Sequence, residues 1–177
     1  MIFEAGLGGR YDATTALPVD MVCFVPIGMD HMNVLGDTLA AIADDKSDAL
    51  RAGVSVAVSA PQEEEIRNIL RNKADERGIA LCSAPSSRGC DSNKSGMALW
   101  EDLPDDLKEC AVLPEDVELG LRGPHQRMNA QTAVLAWVML CRLHNWKTDR
   151  HTIALGLSRA FIPGRLQFVP AEKTHPA

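Results

Sequence analysis

The chain has no CxxC pair, no apolar run approaching the ~18 residues of a membrane span, and no phosphate fingerprint of the GxGxxG or GxxxxGK[S/T] kind. Its five cysteines, Cys23, Cys82, Cys90, Cys110 and Cys141, are odd in number and scattered. That spacing supports neither a zinc ribbon nor a thioredoxin-like site. It fits reduced thiols in a cytosolic protein, so the expected location is cytoplasmic. No charged stretch followed by an apolar stretch opens the chain, so no secretory leader is expected. Excess basic charge is also missing: the formal net charge is -6. A mildly acidic surface argues against nucleic-acid and membrane-surface partners. It leaves open a local anion site, where a few backbone N–H groups and one or two cations suffice. Internal repeats and coiled-coil heptads are absent.

What is present is a globular chain of 177 residues with 46% hydrophobic residues. That is enough for one domain, or one domain and part of another. Met1 to Gly6 reads as the end of a buried strand entering a glycine-rich turn. Asp20 to Val25 is a short apolar run bounded by turn signals, consistent with a buried strand. Asp37 is the expected N-cap of a helix carrying Leu39, Ile42, Ala43, Lys46 and Leu50, with Gly53 at its end. Val54 to Val58 is a further strand candidate. Pro61 opens a charged helix reaching Arg77 and closed by Gly78, and Ile79 to Cys82 is the next strand candidate. Strands alternating with helices predict an α/β fold with a largely parallel sheet and flanking helices.

From residue 84 to 122 the pattern breaks into Ser, Gly, Asp, Asn and Pro with short apolar runs. The expectation there is an irregular, small-β insertion, with strands over Met97 to Trp100 and Val117 to Leu121. His125 to Leu143 then reads as a long helix, with Val134, Leu135, Val138, Met139 and Leu143 at three- and four-residue steps. Asp149 is expected to cap a last helix to Phe161. Residues 1–170 would form one partial domain, and 171–177 a tail or linker.

Five constellations carry candidate chemistry. Glu4 precedes Gly6-Leu7-Gly8-Gly9-Arg10. A carboxylate at the end of a parallel strand faces the crevice where such sheets bind ligands, and it suits Mg²⁺. The alternative is a tight turn with a surface glutamate. His31, in Gly28-Met29-Asp30-His31, also follows a strand. It is either a metal or phosphate contact or a solvated loop histidine. Lys46 lies among Asp44, Asp45 and Asp48. It sits on a solvated helix face, or turns to a metal site, where a carbamate would make it an oxygen ligand. Asn129, in His125 to Ala130, either reads a nucleobase edge at a helix N-terminus or belongs to a capping cluster. Arg165, after Pro163-Gly164, either clamps a phosphate or marks a helix stop.

The order of these pieces is itself informative: FEAGLGGRYDATT, PIGMDHMNVLGDT, an IA-x-x-K helix, GPHQRMNA and IPGRLQ. Together they resemble the folylpolyglutamate synthase and dihydrofolate synthase branch of the Mur ligase superfamily. The resemblance covers most of Met1 to Gln167, is thin across Ala84 to Leu119 and is absent in the tail. It implies the later part of a Mur-ligase-type central ATPase domain, without the P-loop region and C-terminal domain of such ligases. The implied chemistry is ATP- and Mg²⁺-dependent. ATP phosphorylates the carboxylate of dihydropteroate or folate, and the amine of L-glutamate displaces phosphate to form an amide. By position, Glu4 and His31 would hold Mg²⁺, and Lys46 would be a carbamylated ligand of a second ion, His31 and Lys46 serving the catalysis. Asn129 and Arg165 would contact ATP, and Tyr11, Asp12 and Ala13 would line the pterin pocket. A fragment of this kind would not turn over alone, and would self-associate through an exposed sheet edge. The alternative readings are a non-catalytic nucleotide- or folate-binding α/β module from this family, or another Mur-type amino-acid ligase.

Overall fold

A computed structural model describes residues 1–84 and 92–163. Its centre is a three-stranded parallel sheet in the order β1-β2-β3, with β1 Met21–Phe24, β2 Val56–Ser59 and β3 Ala80–Ser83. Met21 pairs with Val56, and Val56 with Ala80. Parallel neighbours need a crossover, and here each is helical. Between β1 and β2 come α1, Met32–Leu35, and α2, Leu39–Ser47. Between β2 and β3 comes α3, Glu64–Glu76.

Alternation along the strands splits the core. Val56, Val58, Cys82 and Ala84 point to one face, where α5, Asp105–Cys110, and α6, Gln126–His144, cover them with Leu107, Leu135, Val138 and Met139. Phe24, Ala57, Ile79 and Leu81 point to the other face, against Ala43 of α2 and Ile66, Leu70 and Ala74 of α3. The α3 stripe recurs every four residues, which is one side of a helix. Its first turn carries Glu64 and Glu65 and its last turn Lys73, an arrangement that matches the helix dipole. The helix α7, Arg150–Arg159, capped by the Asp149 carboxylate on Thr152 N–H, packs beside α6 through Ile153 and Leu157.

Four expectations need correction. Met1 to Gly6 forms no strand and is solvent-exposed, so Glu4 does not end a strand of the described sheet. The second helix is capped by Thr38, whose hydroxyl accepts from Ala41 N–H, rather than by Asp37. Leu143 lies on α6 but is 40% exposed, while Val134, Leu135, Val138 and Met139 are buried. Finally, the described residues between 92 and 122 contain helices and no strands. Met97 to Trp100 lies inside α4, Lys94–Glu101, and Val117 to Leu121 is irregular. An apolar run this short fits either period, and docking against β3 settles it. Gly96 lies so close to the Leu81 carbonyl that a Cβ there would overlap it.

Asn93 ties this helix to the sheet. It is 2% exposed. Its side-chain oxygen accepts from Leu81 N–H at 2.9 Å and Gly96 N–H at 2.7 Å, and its amide donates to Asp75 and to the Ile79 carbonyl. Asn93→Ala leaves two buried N–H groups without their acceptor, each costing about 1–3 kcal/mol. We expect a destabilisation of about 3 kcal/mol in a denaturant melt, against little change for Asn68→Ala at an exposed position of α3.

Candidate functional site

The glycine-rich loop near the N-terminus is held first by its own aspartate. The Asp12 carboxylate accepts from Gly6 N–H and Leu7 N–H at 2.9 Å, from Thr14 N–H at 2.9 Å, and from the Thr14 hydroxyl at 2.5 Å. It thereby caps the single 3₁₀ turn Ala13–Ala16. These bonds favour the charged form, the Thr14 hydroxyl most and then the Leu7 and Thr14 amides, and they hold the carboxyl down at about 2.

The loop is then docked on α2. Asp45 accepts from Gly9 N–H at 3.0 Å and from Arg10 N–H at 3.4 Å. Arg10 donates through Nε to Asp48 at 2.6 Å and through Nη2 to Asp44 at 2.8 Å. Gly9 makes the approach feasible: a Cβ there would stand 2.5 Å from the Lys46 carbonyl and 2.9 Å from that of Asp45. Gly8 has a φ of +68°, which glycine adopts freely. The chain segment carrying Tyr11, Asp12 and Ala13 is thus fastened to the helix carrying Lys46. Tyr11 itself is 91% exposed. Lys46 is half-buried in the last turn of α2. Its acidic neighbours pair elsewhere, Asp44 and Asp48 with Arg10 and Lys73.

A second loop leaves the C-terminal end of β1. Gln62, just beyond β2, accepts from Ile27 N–H at 3.0 Å and donates to the Val25 carbonyl at 3.0 Å and to Ser59 Oγ at 3.2 Å. This bridges the ends of β1 and β2. Further along, His31 takes the left-handed conformation (φ 54°), with its N–H on Asp30 Oδ1 at 2.8 Å and its Nε2 3.5 Å from Asp30 Oδ2. It is solvent-exposed.

The same edge of the sheet meets the start of α6. A cavity of about 230 Å³ there is lined by Pro61, Leu113, Arg127, Met128 and Gln131. Gln131 shapes its wall by accepting from Leu113 N–H at 2.9 Å and donating to the Ala111 carbonyl at 2.7 Å. Asn129 is exposed on the first turns of α6 and donates to Gln126 Oε1 at 3.1 Å. The capping-cluster alternative fits only in part, since His125 makes no side-chain cap. Arg165 lies outside the described residues.

The structure therefore brings the Tyr11–Ala13 loop and the Lys46 helix together. It does not gather a ready metal centre. Among the described residues no group of three or more His, Cys, Asp and Glu side chains is placed to hold an ion. The sequence reading missed Asp45, Asp48 and Gln62. Asp45 and Asp48 serve the loop across 35 to 38 positions of chain, and no local pattern marks such a pairing. Gln62 had one signal, its place beside Pro61 in the short link between a predicted parallel strand and the next helix.

No protein-family model matches the chain. Curated relatives do. It is 31% identical over 169 residues to the dihydrofolate synthase/folylpolyglutamate synthase of Bacillus subtilis, covering 96% of this chain and 38% of that protein. It is 33% identical over 183 aligned positions to a folylpolyglutamate synthase of Arabidopsis thaliana, covering 98% of this chain and 28% of that one. It thus spans well under half the length of the relatives it matches. Among solved structures, the L. casei FPGS-AMPPCP-folate complex superposes with a TM-score of 0.70 at 20% identity, covering 95% of this chain and 40% of that one. The E. coli FolC in complex with DHPP and ADP gives 0.64 at 23% identity, covering 94% and 36%. These superpositions show the shared fold.

The loop geometry has a pH signature. Asp12 titrates lower in the folded chain than its ordinary 3.8. Its stabilising contribution is therefore complete above about pH 4 and fades as pH falls toward 2. Asp12→Ala should cost about 1 kcal/mol at neutral pH, as loss of a cap does. It should also flatten the fall in melting temperature between pH 4 and pH 2, measured by thermal melts of the two proteins side by side.

Proposed function

The chain is related over nearly its whole length to a segment of the folylpolyglutamate and dihydrofolate synthases, and from that relationship we propose that it is part of an ATP- and Mg²⁺-dependent amide ligase. The ligase adds L-glutamate to dihydropteroate or folate. The substrate carboxylate attacks the γ-phosphorus of ATP, releasing ADP and giving an acyl phosphate. The glutamate amine then attacks the acyl carbon, losing a proton as phosphate leaves. The observation that carries this reading is the 31% identity across 96% of the chain. The docking of the Gly8–Arg10 loop on the Lys46 helix supports it, because two separately recognised motifs meet in space.

Glu4, a hard carboxylate, fits Mg²⁺ by donor chemistry. The His31 imidazole is a softer donor and takes its metal role from the relationship alone, both side chains being exposed and on separate loops. Mg²⁺ commonly takes one or two protein groups and completes its shell with phosphate oxygens and water. Bound there, it would neutralise phosphate charge during transfer. Lys46, as a carbamate, would add an oxygen donor for a second ion. Asn129 and Arg165 would contact ATP, Asn129 from beside the cavity that Pro61 and Arg127 line. Tyr11 and Ala13 would face the pterin, the fully exposed Tyr11 ring being free to close over it. The Asp12 carboxylate is engaged by four donors within its own loop. Its part is therefore to fix the pocket wall, and any ligand contact would share those lone pairs. Among the described residues no helix is long and apolar enough to cross a membrane. Separately, the scattered cysteines, which fit reduced thiols, support a cytoplasmic location as our proposal.

Within the described sheet β1 is paired on one side only. Such an edge templates further pairing, and we propose that the chain self-associates through it. Light scattering of purified 1–177 across a dilution series should show a concentration-dependent mass. A constant monomer mass would count against the edge as a contact.

The ligase reading is tested by titrating ATP with Mg²⁺ into the chain calorimetrically. We expect Mg²⁺-dependent binding that weakens at least about tenfold, ~1.4 kcal/mol, in Glu4→Ala. Equal binding by the variant would remove Glu4 from the metal site. No nucleotide binding by either would leave this segment without an ATP site of its own. Because the sequence holds no P-loop motif, the chain alone should not hydrolyse ATP, and measurable Mg²⁺-dependent turnover by 1–177 would contradict that.

A further inference from the structure

The loop-docking contacts carry more positive charge than they consume. Arg10, Arg51, Lys73 and Arg77 converge where α2 and α3 end, and Arg10, Arg51 and Arg77 line, with Asp48 and Ala52, an open depression of about 500 Å³. The acids facing these cations are Asp44 and Asp48. Asp48 alone accepts from Arg10 at 2.6 Å, from Arg77 at 2.6 Å and from Lys73 at 3.2 Å. Asp44 takes Arg10 at 2.8 Å and Lys73 at 3.2 Å. Asp45 is turned to the backbone N–H groups of Gly9 and Arg10. Four cations thus pair with two carboxylates, and the Asp45 charge, which its backbone partners do not cancel, leaves a surplus of one positive charge on a chain whose overall charge is -6.

The guanidinium groups are also held in place. Arg51 donates to the Asp48 carbonyl at 3.2 Å and to that of Arg10, and Arg77 donates to the Asp48 carbonyl at 3.4 Å and to that of Leu50. Backbone carbonyls fix the direction of both; they leave the Arg51 charge uncancelled, while Arg77 also pairs with the Asp48 carboxylate. Burial alone would raise the Asp48 carboxyl, but the Arg10 and Lys73 hydrogen bonds outweigh it and hold the group below its ordinary range. The anion inside the cluster therefore stays charged, and the surplus above it stays positive.

We propose that this depression binds a multivalent anion, a chain of carboxylates or of phosphates that spans two or more of the arginine forks. Planar guanidinium groups match both chemistries in paired hydrogen bonds. Arg51 and Arg77 lie in the segments leading into β2 and β3, at the N-terminal ends of those strands. The cavity lined by Pro61 and Arg127, like the loop after β1, lies at the opposite ends of the strands. The depression is thus a separate site. It stands on these side chains alone and does not depend on the ligase reading.

The test is a low-salt calorimetric titration of the chain with γ-linked triglutamate and, separately, with inorganic tripolyphosphate. Wild type should bind at least one of them, and rising salt should weaken the binding. Arg51→Gln should weaken it at least about tenfold, and Arg51→Lys by less, since a lysine keeps the charge but not the fork. Asp44→Asn removes a competing carboxylate and should tighten binding, an effect that general misfolding would not produce. Tighter binding of triglutamate assigns the site to carboxylate chains, and tighter binding of tripolyphosphate assigns it to phosphates. If neither anion binds, or if Arg51→Gln and Asp44→Asn both bind as wild type does, the proposal is overturned. Thermal melts of each variant confirm that the compared proteins are folded.

Discussion

The constraint on which the rest depends is the burial of β2 on both faces. Val56 to Ser59 is covered by α6 on one side and by α2 and α3 on the other, and every residue of the strand is buried. A parallel sheet of this kind is stable only when helices close both faces. The chain must therefore return over the sheet between strands, and each return delivers a loop to one edge and a helix end to the other. Both regions of interest follow from that traffic. The loops after β1 and β2 form the crevice edge with His31, Gln62 and Pro61. The ends of α2 and α3 form the arginine-lined depression.

Helix α2 links the two regions. Its inner side, Ile42, Ala43 and Ser47, is buried in the core. Its acidic residues grip a distant loop through Arg10 and the Gly9 and Arg10 amides. At partly exposed sites such ion pairs stabilise weakly one by one. Their concentration on one short loop is what gives them positional force. The docking sets where Tyr11 and Asp12 stand relative to Lys46, so the acids flanking Lys46 act as structural ties from a partly exposed helix face.

Much of the fold was legible beforehand. β1, β2 and β3 fall within a residue or two of the apolar runs at Asp20 to Val25, Val54 to Val58 and Ile79 to Cys82. The long helix from Gln126 and the Asp149 cap were also readable, because a repeated apolar stripe and an N-cap are local signals. The insertion was not readable. Met97 to Trp100 became helix because Asn93 and Gly96 let the segment dock on β3, a contact between residues remote in sequence. The candidate site divided the same way. Its motif residues could be named, but the bonds that join them could not.

The sequence by itself determined the α/β class, the order of strands and helices, and the identity of the residues that resemble a glutamate ligase. These depend on periods and motifs confined to a few neighbouring positions. Only the tertiary structure decided that Asp45 and Asp48 hold the glycine-rich loop, that Gln62 bridges the ends of β1 and β2, and that four cations share two carboxylates. Those outcomes arise from charges and amides brought together across tens of residues, where which partner lies within hydrogen-bonding distance is set by packing and not by local spacing.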